Sequence, residues 1–265
     1  MQHVVRYGMN NGVAHITLSA PQTGNLLNPP ALAQLQDALQ LAAADPTCRA
    51  IVIGAEGAVF CNGLDLEAAF GAGRAPEIAF FQALADCLLL IATCPQPVLA
   101  KVDGLATGGG VGLAAACDFV LATSNAHFIL SEVVIGMIPA LITPYLLQRI
   151  APAQVRYLAL SSRRINAGEA QRLGLVDEVV EADLESAVES QLQRIFRSSP
   201  VAIAEYKRYL AACNQDALAR QSSVAVHKLT DWLRRPEVVA GIQTFADGFS
   251  PPWWQKYSTN NKGGN

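Results

Sequence analysis

The stretch from Val98 to Thr123, VLAKVDGLATGGGVGLAAACDFVLAT, limits what this chain can fold into more than any other. Val98 to Val102 reads as a buried strand that ends at Asp103-Gly104, and glycines at 108, 109, 110 and 112 then lead into an apolar helix. Glycines at such a junction let backbone N–H groups approach a bound group closely, and the start of the helix adds the positive end of its dipole. That combination suits a negative charge developing on a bound oxygen. Close helix packing accounts for one or two glycines but seldom for three in a row. Gly110-Val-Gly112-Leu-Ala-Ala115 also fits the dinucleotide pattern G-x-G-x-x-A, with Glu132 placed 20 positions after Gly112. In that pattern the glycines follow the strand directly, whereas here Asp103 to Thr107 intervene.

Strand and helix signals alternate through the first two thirds of the chain, which argues an α/β fold. Val13 to Leu18 alternates and reads as a strand, with His15 facing outward or on an edge. Asn28-Pro29 is a helix start for a segment running to about Ala44. Further strands are expected over 50–53, 98–102, 119–121 and 128–130, and a helix over 77–92. GAGRAP, residues 71–76, has loop composition and is a candidate flap over a site. After Pro152 the character turns helical. Asn166-Ala-Gly-Glu169 reads as a capping box closed by Gly174, 176–180 as a last strand, and Ser199-Pro200 as the start of another helix. Helices over 217–233 and 236–245 end the pattern. This divides the chain into a core over 1–198 and a helical region over 199–265.

Composition narrows the class. With 51% hydrophobic and 15% charged residues the chain can bury a large core, and disorder is excluded. A net charge of −3 argues against nucleic acid as a partner. The run between Glu132 and Arg149 is too short to span a membrane and is broken by Gly136, Pro139 and Pro144. MQHVVRYGMN lacks the apolar segment of a secretory signal, so a cytoplasmic location is expected. The six cysteines are scattered, so reduced and mostly buried thiols are expected. The four histidines match no zinc spacing, so no metal is expected.

Two more segments carry chemistry. In Ala58-Val-Phe-Cys-Asn-Gly-Leu-Asp-Leu66, a phenylalanine and a glycine flank a turn after strand 50–53. Such a turn exposes backbone N–H groups near Asn62, Gly63 and Leu64. Asp65 is there most simply as an acid at a helix start, and Cys61 has no neighbouring histidine to activate it. In Phe128-Ile-Leu-Ser-Glu-Val-Val-Ile-Gly-Met-Ile-Pro139, Glu132 is a lone carboxylate in an apolar run. Apolar surroundings raise a carboxyl toward the range of a general base. Ser131 either orients it or caps a turn.

Together and in this order, these elements resemble the crotonase (enoyl-CoA hydratase/isomerase) superfamily, over most of the chain from ITLSAP to the capping box and GLVDEVV. The resemblance implies a spiral of ββα turns followed by C-terminal helices that support homotrimers, often paired into hexamers. It implies an oxyanion hole for a thioester enolate, formed by the N–H groups of Leu64 and Gly109, with Glu132 as the catalytic carboxylate. Asn62, Gly63, Asp65, Gly108, Gly110, Gly112, Ser131 and Pro139 are the implied substrate contacts, and no cofactor is implied beyond the acyl thioester itself.

Two departures refine that picture. Hydratases of the superfamily carry a second glutamate three residues after the oxyanion glycine, where this chain has Gly112. The members that use CoA commonly place a cation before the N-x-x motif, where this chain has Gln22-Thr23-Gly24-Asn25; losing a cation weakens recognition of the CoA phosphates. Phe128 to Glu132, Gly136 to Ala140, Pro144-Tyr-Leu-Leu and the tail Pro252-Trp-Trp-Gln255 are most similar to the dehydratases of polyketide β-branching cassettes. Those enzymes dehydrate 3-hydroxy-3-methylglutaryl on an acyl carrier protein to the 3-methylglutaconyl thioester. The alternative is a CoA-linked hydratase or isomerase, such as a methylglutaconyl-CoA hydratase. Trp253 and Trp254 either pack on a neighbouring subunit or line the substrate tunnel.

Overall fold

The structure is a computed structural model that describes residues 3–70, 78–181, 183–213 and 217–255; the candidate flap over 71–76 lies outside them. A six-stranded sheet runs β1 (Val5–Asn10), β2 (Val13–Leu18), β3 (Ala50–Ala55), β5 (Val98–Val102), β7 (Phe119–Thr123) and β10 (Glu178–Val180). Only the β1–β2 pair is antiparallel; the remaining neighbours are parallel. A four-stranded sheet holds β4 (Val59–Cys61), β6 (Leu105–Thr107), β8 (His127–Ile129) and β9 (Ile165–Asn166). The chain thus lays β3, β5 and β7 in one sheet and β4, β6 and β8 in the other, one of each per turn. This is the ββα spiral of the expected fold, followed by a helical C-terminal region.

The central strands β3, β5 and β7 are buried on both faces, so they are almost continuously apolar. Ile51, Ile53, Val98, Ala100 and Val102 point into the main core. Ala50, Val52 and Leu99 point the other way, onto α8 (Leu184–Phe196) through Leu184, Ala187, Val188 and Ile195. His15 is exposed, on β2 between β1 and β3. The main core holds α1 (Pro29–Ala44) against α3 (Ile78–Thr93). As expected, Asn28 caps α1 by accepting from Ala31 N–H at 2.9 Å.

α4 (Gly109–Ala116) is buried at every residue, which suits its all-apolar sequence. The core extends into α10 (Ala217–Leu233) and α11 (Pro236–Ala246) through Val226, Leu229, Leu233 and Ile242. Half of the expected capping box forms. Asn166 accepts from Glu169 N–H at the start of α7 (Ala167–Leu173), but the Glu169 carboxylate turns to Arg163 instead of back to the cap. The six cysteines are free thiols, all buried except Cys213. No helix among the described residues is long and apolar enough to cross a membrane.

Candidate active site

Two loops from neighbouring strands build one wall of a cleft of about 490 Å³. β4 and β6 are parallel partners, so Asn62-Gly63-Leu64 and Thr107-Gly108-Gly109 leave the same end of the small sheet side by side. Their glycines make the approach possible. Gly63 has φ +76°, and a Cβ there would stand 2.9 Å from Thr107 O and 3.4 Å from Gly109 N. Thr107 Oγ1 donates to Asn62 Oδ1 at 3.1 Å and ties the two loops together.

Each loop presents a free N–H. Leu27 N–H donates to Gly63 O at 2.8 Å, and Asp65 N–H donates to Leu27 O at 3.1 Å. Successive amides of an extended segment point to opposite sides, so Leu64 N–H faces away from Leu27. Gly109 opens α4, where the first amides have no intrahelical acceptor. Among the described residues, nothing accepts from either group.

Glu132 faces them from a 3-10 turn over Glu132–Ile135 that follows β8. A Cβ on Gly108 would lie 3.1 Å from Glu132 Oε1 and 4.0 Å from Oε2. The carboxylate thus rests on the bare face of Gly108, in space that any other residue would fill. Oε2 is buried and has no hydrogen-bond partner among the described residues. Burial pushes the Glu132 carboxyl up from 4.5 to about 7, opposed by its own backbone N–H. A carboxyl so poised can take a proton and return it near neutral pH.

Of the residues expected in a site, Asn62, Gly63, Leu64, Asp65, Gly108, Gly109, Ser131 and Glu132 share this cleft. Asp65 also caps α2 (Leu66–Phe70), accepting from Ala68 N–H at 2.9 Å. Ser131 O accepts from Val134 N–H within the turn, and its hydroxyl caps nothing. Gly110, Gly112 and Pro139 do not line the cleft. Gly110 lies where a Cβ would overlap Cys61 O, and Gly112 where one would overlap Ile142 Cγ2, so both are packing glycines. Pro139 O accepts from Thr143 at the start of α5 (Thr143–Arg149). Cys61 is buried, and burial pushes its thiol up to about 12, which makes it inert. The sequence reasoning missed Leu26, Met137 and Phe245, which give the cleft its apolar lining. Phe245 comes from α11, more than a hundred residues away from Glu132, and no motif marked it.

A spiral of ββα turns with two free amides facing a buried, near-neutral carboxyl defines a class of acyl-thioester enzymes, and the comparisons assign it. The chain belongs to the enoyl-CoA hydratase/isomerase family, whose model matches residues 8–256. It is 32% identical to a probable enoyl-CoA hydratase of Rhodobacter capsulatus, over 94% of this chain and 97% of that one. It is 27% identical to the bacillaene synthase dehydratase PksH of Bacillus subtilis, over 91% and 93% of the two chains. An enoyl-CoA hydratase from Mycobacterium avium superposes with a TM-score of 0.83 at 27% identity, covering 96% of this chain and 100% of the other. The protein is accordingly an enzyme of the lyase type, with crotonase-family hydratase or dehydratase activity.

Proposed function

We propose that this enzyme dehydrates 3-hydroxy-3-methylglutaryl held on an acyl carrier protein to the 3-methylglutaconyl thioester. The observation that carries the chemistry is the Glu132 carboxylate lying on Gly108, beside the free amides of Leu64 and Gly109. The thioester oxygen accepts from those two N–H groups, each worth about 3–4 kcal/mol in the transition state. Glu132 removes the C2 proton to give the enolate. The C3–O bond then breaks, the departing hydroxide takes the proton from the Glu132 carboxyl, and water leaves with the carboxylate restored. One carboxyl serves both steps, because Ile142 packs against Gly112, where a second would stand.

The carrier protein as partner rests on the similarity to PksH and on the uncharged segment Gln22 to Asn25. Assembly as a homotrimer or hexamer rests on the family resemblance, supported by α9 (Pro200–Cys213), which buries no residue of its own and exposes Val201, Tyr206 and Tyr209. A CoA-linked hydratase or isomerase is the second reading, favoured by the likeness to the Rhodobacter protein. Intact-protein mass spectrometry of the loaded carrier protein, run beside the CoA thioester, separates the two. Loss of one water on the carrier with little on CoA is the expected result. Preference for CoA establishes the second reading.

A further inference from the structure

All three tryptophans of the chain aim their indole N–H groups at the turn that holds Glu132. Within the turn, the carbonyls of Glu132 and Val133 are already taken by Met137 and Gly136 N–H. The carbonyls of Val134 and Gly136 receive the indoles. Trp253 and Trp254 Nε1 both donate to Val134 O at 3.0 Å, and Trp232 Nε1 donates to Gly136 O at 2.8 Å. The Trp253 ring lies in a slot between two glycines: a Cβ on Gly136 would stand 2.5 Å from it, and one on Gly241 would overlap it. Trp254 meets Phe245, the α11 residue of the cleft lining, with ring centroids 6.1 Å apart. Trp253 and Trp254 remain 40% and 47% exposed, so burial in a core does not explain them, whereas two donors on one carbonyl do.

We propose that Trp253 and Trp254, backed by Trp232, are positioning residues: a strap from the C-terminal segment that sets the Glu132 carboxyl over Gly108 and holds water off it. This rests on the reading of Glu132 as the base. A turn of four residues is weak by itself, and here donors from far along the chain fasten its outward carbonyls. The titratable groups sharing the cleft with Glu132 are Asp65 and Glu67. The loop of Gly108 and Gly109 and the α11 residues Phe245 and Ala246 add none there, and α6 (Pro152–Ser161) and the residue after it border the turn with Leu160, Ser161 and Ser162.

The test uses the full-length enzyme, the variants W253F, W254F and their double, which keep a ring but lose the N–H, and E132Q. Glutamate labelled with carboxyl ¹³C is titrated by NMR, E132Q identifies the resonance, and kcat and KM are taken on the thioester that turns over. In the double variant, the Glu132 midpoint is expected to fall by about one pH unit as water reaches the carboxyl. Its kcat should fall about tenfold with KM within about twofold of the parent. An unmoved midpoint overturns the strap, whether kcat is unchanged or kcat falls together with a matching rise in KM. Should the double variant not fold, W254F alone decides by the same readouts, with a smaller shift in the same direction. A wild-type midpoint near the ordinary carboxyl value overturns the base reading itself, which separates the two failures.

Discussion

The two walls of the cleft are made by different means. The amide wall is backbone, fastened by parallel ladders between β4 and β6 and by the bridge between Leu27 and Leu64. The carboxyl wall is one side chain on a short turn, fastened by indole donors from Trp232, Trp253 and Trp254. Groups that must stay fixed while charge builds on the substrate are placed by core strands. In the proposed mechanism, the group that changes protonation sits on a short turn whose fastening donors come from the C-terminal helices and tail.

The sharpest way to break this comparison is to remove the carboxylate. E132Q is expected to lower kcat by about a thousandfold, measured under saturating thioester; a variant retaining more than about a tenth of the parent rate sinks the assignment. Disturbing the opposite wall should look different. Gly63→Ala forces a Cβ toward Thr107 O at φ +76°, which displaces the Leu64 amide and should lower kcat by about a hundredfold. Its pH–rate midpoint should stay at that of the parent, since Glu132 is untouched.

The Glu132 carboxyl is also a liability to the fold. Its folded value is raised from 4.5 to about 7, so it costs nothing below the lower value, where it is neutral in both states. The cost grows as pH rises between the two and is complete above the higher one. E132Q should then be more stable than the parent by up to about 3 kcal/mol above neutral pH and no more stable in acid. Urea unfolding at two pH values reads this directly. The smallest effect is expected at Asp65→Ala, which removes the cap of α2 at about 1 kcal/mol and leaves the pH–rate midpoint in place; a thermal melt and a pH–rate profile check it.

Most of the site was legible because chemistry and backbone geometry coincide in short motifs. Three glycines before an apolar helix and a lone glutamate in an apolar run each break a local rule, and such breaks mark work. The same logic misassigned part of the glycine run, because a glycine that admits a ligand and one that admits Ile142 or Cys61 look alike in sequence. Of the small sheet only β8 was expected, over 128–130; β4, β6 and β9 have two or three residues each, too few for a period of two to register. Phe245 and the tryptophan strap reach the site only through tertiary packing. Glu169 shows the remaining kind of loss: the cap motif was there, but Arg163 offered the carboxylate a better partner.

The contact between Gly112 and Ile142 bears on the history of such a site. A carboxylate at position 112 has not merely been omitted here; its volume has been occupied, since a Cβ on Gly112 would overlap Ile142. Return to a two-acid site needs two changes in concert, a carboxylate at 112 and retreat of the chain at 142, and either alone is penalised by a clash or a void. The packing therefore acts as a latch on the single-carboxyl site proposed for this chain, since a second acid at 112 needs room that Ile142 takes.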